Sequence, residues 1–313
     1  MKASLSLDLD NLWSYLKTHG DGAWEGYPSY LEIVVPHILD LASAAGITIS
    51  VFVVGQDASF EKNRELLASI ADAGHEIGNH SFRHEPWIHT YPGPEVVDEL
   101  NKAHEAISTA TGFEPTGFRG PGFSISPAML VALAAMGYTY DASTLPTWIG
   151  PLARRYYFRS TSLPPEEAAK RSALFGSLRD GLLPNAPYEW ELERGNLAEL
   201  PVTTMPIARV PFHVSYLLYL SGFSAGLAEA YLKMALWACR SRGVGPSVLL
   251  HPLDLLGGDE VSALEFFPGM DLSGVEKRNR TARYLSLITA KFTVGTVAER
   301  LAVLEPLRRN RRP

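Results

Sequence analysis

The chain has 313 residues, 46% of them hydrophobic and 20% charged, the composition of an ordinary globular protein with length enough for a sizeable core. Its formal net charge of −6 argues against a general nucleic-acid binder, which carries a broad basic surface, and no stretch supplies the roughly 20 apolar residues of a membrane-spanning helix. A single cysteine, Cys239, excludes an intrachain disulfide and the usual thiolate metal clusters.

The first residues lack the apolar core of a signal peptide, and a cytoplasmic protein is expected. Leu5, Leu7 and Leu9 alternate with Ser6, Asp8 and Asp10, which predicts a strand whose acidic residues share one face. Two carboxylates so placed both stay ionised only beside a cation, unless the strand end is simply solvated. Residues 28–45 predict a helix ending at Gly46, with Leu31, Val34, Val35, Ile38, Leu39 and Ala42 on one stripe. A β-branched strand over 47–54 and a second amphipathic helix over 58–73 follow.

Next comes Gly74-His75-Glu76-Ile77-Gly78-Asn79-His80-Ser81-Phe82-Arg83-His84. A helical turn after Asn79 would project His80 and His84 from one face, close enough to bind one metal ion. Two imidazoles leave such a site incomplete, and a carboxylate from elsewhere would complete the protein's share. Asp10 is the candidate, with Asp8 a neighbouring base. Zinc fits these ligands, and cobalt, nickel or manganese would also bind.

Helices are expected over 95–111 and 127–136. Strands alternating with helices predict an α/β fold with a mostly parallel sheet, whose sites gather at the carboxyl ends of the strands. Between the two helices, Phe118-Arg119-Gly120-Pro121-Gly122-Phe123 reads either as a loop whose arginine pairs with a buried carboxylate or as a plain turn. From 145 to 245 the pattern loosens. Arg154, Arg155 and Arg159 lie in a basic, aromatic stretch, a short helix is expected over 164–179 and a strand over 197–202. The segment 210–239 holds Phe212, Tyr216, Leu217, Leu218, Tyr219, Leu220, Phe223, Tyr231 and Trp237, and reads as a buried helix pair, with membrane contact the competing view. Ser247 to His251 is a buried strand ending in a histidine suited to general acid work, with Asp254 just beyond. Helices over 274–290 and 297–304 precede a basic tail, Arg308, Arg309, Arg311 and Arg312, expected to be disordered.

Taken in order, Ser6-Leu7-Asp8-Leu9-Asp10-Asn11, His80-Ser81-Phe82-Arg83-His84, Arg119-Gly120-Pro121-Gly122-Phe123 and Leu249-Leu250-His251 resemble the motifs of the polysaccharide deacetylase (NodB-homology, carbohydrate esterase 4) family. Leu9 separates aspartates that are usually adjacent, and Gly122 stands where tyrosine is common. The family's aspartate–tryptophan motif is matched only by Asp141 and Trp148, at too long a spacing. The resemblance implies a distorted (β/α) barrel of about seven parallel strands, one catalytic domain over 1–313 with an insertion at about 146–245. It implies a divalent metal, zinc first, on Asp10, His80 and His84. Asp8 would be the base, kept ionised by Arg119, and His251 the acid. A backbone N–H near Gly122 would serve the oxyanion, and Phe123, Asp141, Trp148 and Asp254 would stand toward oxyanion or substrate.

The activity implied is removal of an N-acyl group, N-acetyl first, from an amino sugar in a glycan or glycan precursor. Alternatives are a deformylase of a lipid-linked formamido sugar, a hydrolase of a small non-sugar amide such as a ureide, and a non-catalytic glycan- or metal-binding protein. A pure binder would need neither Asp8 nor His251. A cytoplasmic enzyme would meet a monomeric or lipid-linked precursor, and the aromatics of 212–220 with the arginines suggest peripheral contact at the inner membrane face.

Overall fold

The computed structural model describes residues 1–152, 155, 177–193, 195–304 and 310–313. The expectations for Arg154, Arg159, Arg308 and Arg309, and for residues 164–176 of the helix expected over 164–179, lie outside the described residues.

The central strand is β1 (Lys2–Leu9), and its alternation serves two buried faces. Leu5, Leu7 and Leu9 enter the main apolar core with Leu31, Val34 and Ile38 on one side of the chain's middle and Leu285 and Ile288 near its end. Ser4, Ser6 and Asp8 face the other way and are buried too. Their partners are polar: Ser4 Oγ lies 3.1 Å from Ser247 Oγ, and Ser6 Oγ accepts from Arg119 Nη1 at 2.9 Å. The polar side of β1 therefore lines an interior rather than solvent.

Parallel pairing extends from β1 through β2 (Ser50–Val53), β3 (Glu76–Asn79), β4 (Gly117–Phe118) and β5 (Tyr140–Asp141). The antiparallel strand β6 (Tyr188–Glu191) leads into β7 (Asn196–Glu199), which returns parallel to β5, and β8 (Ser247–Leu250) lies parallel on the other side of β1. The chain leaving β7 then meets β8: Thr203 N donates to Ser247 O at 2.9 Å, and Ser247 N to Thr203 Oγ1 at 2.8 Å. Those bonds close a distorted barrel of seven parallel strands. Strand β9 (Thr293–Gly295) pairs with the start of β1, and β10 (Asn310–Arg311) with β6. Of the expected basic tail, the described Arg311 lies in β10 against β6, and Arg312 Nε is 3.2 Å from Glu191 Oε2.

The helices follow the apolar stripes, with three departures. Helix α1 (Leu12–His19), absent from the sequence expectations, is started by Asn11, whose Oδ1 accepts from Leu12 N at 2.8 Å. Helix α2 (Leu31–Ala45) begins three residues later than expected. The helix expected over 58–73 is broken into α3 (Gly55–Ser59) and α4 (Arg64–Asp72), because Asn63 Nδ2 turns back to Asp57 O at 2.8 Å. Helices α5 (Gly93–Thr111) and α6 (Pro127–Ala135) pack with Phe118, Tyr188 and Leu197 in a second apolar cluster.

The segment 210–239 forms α7 (Val214–Phe223) and α8 (Ala225–Ser241). Leu217, Leu218, Leu232 and Cys239 are buried, whereas Tyr219, Phe223, Leu227, Met234 and Trp237 are exposed, Phe223 and Trp237 by 74% and 70%. No described helix is long and apolar enough to cross a membrane. Helices α9 (Gly274–Thr289) and α10 (Val297–Ala302) complete the shell.

Candidate active site

At the carboxyl end of β1 three ligand atoms converge. Asp10 Oδ1 lies 2.9 Å from His84 Nε2 and 3.3 Å from His80 Nε2, and all three residues are buried. The histidines do not reach this arrangement on a helix. Residues 80–84 form an irregular loop with Ser81 at φ 61° and His84 at φ 49°. The amides that a helical turn would use internally are bonded elsewhere. Asn79 Oδ1 accepts from Ser81 N at 2.8 Å, and Glu99 Oε1 on α5 accepts from Phe82 N at 3.1 Å and Arg83 N at 2.5 Å. The loop's carbonyls are bonded as well: Gly55 N donates to Ser81 O at 2.8 Å and Gln56 N to Phe82 O at 3.0 Å.

His80 and Asp10 are held from behind, whereas His84 Nδ1 is buried without a hydrogen-bond partner among the described residues. His80 Nδ1 lies 2.6 Å from the carbonyl of Arg119, which places the ring proton on Nδ1 and turns Nε2 toward Asp10. Tyr30 OH donates to Asp10 O at 2.8 Å. Burial alone would push the Asp10 carboxyl up, but the adjoining His84 and His80 hold it well below the ordinary carboxylate range. Burial works to lower His80, and Asp8 and Asp10 outweigh it and raise it above 6.5. The pocket therefore favours positive charge among one carboxylate and two imidazoles. Asp10, His80 and His84 together offer ligand atoms within 4.8 Å of one another, a donor set that suits zinc and related divalent ions.

Arg119 leaves the end of β4 and is fully buried. Its Nη1 donates to Asp8 Oδ1 at 2.7 Å, its Nε donates to Ala142 O at 2.9 Å, and its guanidinium lies 4.3 Å from the Phe52 ring centroid. Of the two readings left open by the sequence, the buried ion pair is the one found. The following turn is tight: a Cβ on Gly120 would lie 2.0 Å from Ser124 O, and Gly122 takes φ 59°. The Phe123 amide donates to Gly120 O at 2.9 Å, whereas Gly122 is exposed at the turn's tip.

His251, half-buried, follows β8, with Ser215 Oγ 3.1 Å from its Nδ1. The other expected site residues are placed differently. The Asp141 carboxylate accepts from Ser143 N at 3.3 Å and Ser143 Oγ at 2.5 Å, and it is paired with the buried Glu199 carboxyl, which is pushed well up by burial and by Asp141 itself. Asp141 thus braces the arginine turn, since Gly120 N donates to Ser143 Oγ at 2.8 Å, and does not line an open cleft. Trp148 rests against Gly181, partly exposed, with no described contact to His251. Asp254 is buried and accepts from His251 N at 2.9 Å, so it supports the histidine from inside.

Four contributors are missing from the sequence reading. Glu99 had a signal, because it sits among Val96, Leu100, Ala103 and Ile107 on the apolar stripe of α5, where a charge needs a reason. Asp57 is buried, accepts from Asn11 Nδ2 at 2.7 Å and Trp13 Nε1 at 2.9 Å, and is pushed by burial to about 6. It braces Asn11, next to Asp10, and Trp13, whose ring meets His84 edge-on. Ser215 and His213 gave no signal, since only the docking of α7 brings them to His251.

Residues 21–140 match the family model "Polysaccharide deacetylase". A Helicobacter pylori peptidoglycan deacetylase is 32% identical over 128 residues, covering 41% of each chain. A Bacillus subtilis peptidoglycan-N-acetylmuramic acid deacetylase is 32% identical over 105 residues, 33% of this chain and 38% of its own. The chain therefore spans about two fifths of the length of these curated relatives. A crystal structure of a candidate polysaccharide deacetylase from Mycobacterium smegmatis superposes with a TM-score of 0.61 at 20% identity, covering 100% of this chain and 94% of that one. The fold is shared with that structure.

Proposed function

We propose that this protein is a metal-dependent hydrolase that removes an N-acetyl group from an amino sugar in a glycan or glycan precursor, a reading supported by the match of residues 21–140 to the polysaccharide deacetylase model. The observation that carries the reading is the juxtaposition of a three-ligand cation pocket with the buried Asp8–Arg119 pair at the end of one strand.

Asp10, His80 and His84 would hold the ion, zinc first among the candidates. When bound it would supply Lewis acidity to the amide carbonyl and make water more acidic. Asp8, two residues before Asp10 on the interior face of β1, takes one proton from the attacking water. Arg119 fixes that carboxylate and neutralises its burial. The Gly122 amide, at the tip of its turn, is the donor for the developing oxyanion. As the C–O bond forms and the C–N bond breaks, His251 gives its Nε2 proton to the departing nitrogen, which could not leave as an anion. The products are acetate and the free amine of the sugar.

We further propose that the enzyme works against a membrane surface on a lipid-linked sugar, at the cytoplasmic face. Exposed Leu227, Met234 and Trp237 recur along one stripe of α8, and exposed Tyr219 and Phe223 meet ring to ring on α7, 5.5 Å apart.

An amine-release screen tests the activity, using metal-loaded protein against N-acetyl and N-formyl sugar nucleotides, lipid-linked sugars and ureides. Release from an N-acetylated sugar is the expected result. Release from the formyl sugar or ureide alone would move the assignment to those substrates, and silence throughout with metal bound would favour a binding protein.

A further inference from the structure

A histidine that binds a metal is generally fixed through the ring nitrogen that faces away from the ion. His80 follows this rule, with Nδ1 2.6 Å from the carbonyl of Arg119. His84 does not. Its Nε2 lies 2.9 Å from Asp10 Oδ1, but its Nδ1 is buried without a hydrogen-bond partner among the described residues. Its backbone stands in the left-handed region at φ 49°, which is uncommon for a residue with a side chain and is kept only where the surroundings enforce it. This ligand must be held by something other than its own ring.

Lys17, in the last turn of α1, supplies the hold. Its Nζ donates to Arg83 O at 3.2 Å and to Glu85 Oε1 at 2.6 Å. The two acceptors flank His84 in the chain. Arg83 O belongs to the planar peptide unit that enters His84, so fixing its direction fixes one side of the φ rotation. Glu85 anchors the residue that follows. The Lys17 and Glu85 side chains are only 11% and 15% exposed, so solvent weakens this pair less than a surface one. The ammonium also lies over two indoles, 5.0 Å from the Trp24 ring centroid and 5.9 Å from that of Trp13.

Helix α1 connects this hold to the rest of the pocket. Trp13 stands one turn before Lys17 on the same helix face. Its ring meets that of His84 edge-on at 6.5 Å, and its Nε1 donates to Asp57 Oδ1 at 2.9 Å. Asn11, which starts the helix, directly follows Asp10. One eight-residue helix therefore runs from the carboxylate ligand to the backbone on either side of His84. We infer that Lys17 and Glu85 are positioning residues that hold His84 in the cation pocket, clamping its backbone from both sides where His80 is held through its ring.

The inference rests on the reading of Asp10, His80 and His84 as the ligand set, and the experiment separates the two. Lys17→Met keeps the unbranched stem and removes the donors. Zinc affinity, measured by competition with a chromophoric chelator, should weaken roughly 10–100-fold in this variant. The visible spectrum of its cobalt(II)-loaded form should move toward that of His84→Ala. Lys17→Arg, which keeps the charge and the donors, should restore most of both. Circular dichroism checks folding, and Glu85→Ala, expected to act in the same direction, serves if Lys17→Met does not fold. Unchanged zinc affinity and an unchanged cobalt spectrum in the folded variant would overturn the inference. If the wild type binds neither ion, the ligand set falls and the clamp is judged on the metal-free proteins. There the ring proton shifts of His84 should move in Lys17→Met while those of His80 stay, and unmoved His84 shifts would overturn it.

Discussion

Arg119 Nη1 stands 2.7 Å from Asp8 Oδ1, and both side chains are withdrawn from water at the centre of the barrel. A buried pair of this kind leaves an uncompensated charge when one partner is removed. Arg119→Ala is expected to destabilise the fold by about 3–5 kcal/mol and to lower turnover by roughly 10²-fold or more. Urea unfolding alongside an amine-release assay checks both. A variant of near wild-type stability would mean that water reaches Asp8 and the pair is less isolated than described.

Metal retention should depend on each of three side chains. Asp10→Ala, His80→Ala and His84→Ala each remove one of the three proposed ligands among the described residues, and each should lose most of the bound ion on dialysis. Elemental analysis decides it, and full occupancy in the His84→Ala protein would remove that residue from the set.

The same pocket predicts a pH dependence. In the metal-free protein His80 is raised above 6.5, so its protonated form contributes stability that is fully present below about 6.5 and is lost as pH rises through its higher folded value. Asp10, held low, behaves oppositely: its contribution is present above 3.8 and is lost as pH falls through its depressed folded value. The stability difference between metal-free wild type and His80→Gln should accordingly shrink as pH is raised from about 6 to about 9. Metal affinity should rise over the same range, because the ion competes with the His80 proton. A stability difference that grows with pH would contradict the charge arrangement.

The exposed stripe of α7 and α8 predicts vesicle binding. Wild-type protein should co-sediment with anionic liposomes, and Phe223→Ser with Trp237→Ser should abolish most of it, since each removes a large exposed apolar side chain. Absence of wild-type binding at low salt would leave the stripe without a lipid role.

Much of the site was legible because ligand chemistry constrains residue type more tightly than backbone shape. Asp10, His80 and His84 emerge from sequence alone, although the helical turn invoked to join them is absent. The spacing of four residues suits a helix, and Glu99, 15 residues beyond His84, instead stabilises a loop that achieves the same convergence. Leu5 to Asp10 was readable as a strand, but its polar face could not be assigned to the interior before Arg119 was seen to enter it. Asp141 and Trp148 illustrate the converse: matched on residue type alone, they stand apart from His251. Ser215 and His213 were beyond reach, because no local pattern announces that a helix start 36 residues upstream docks against His251.

The central claim, that a metal pocket and the adjoining Asp8 act together on an N-acylated amino sugar, is tested most directly by acetate release from wild type and Asp8→Asn at equal metal occupancy. The account predicts release by the wild type and a loss of roughly 10²-fold or more in the variant. Equal rates in the two proteins, or no acetate from any N-acetylated amino sugar by fully loaded wild type, would contradict it.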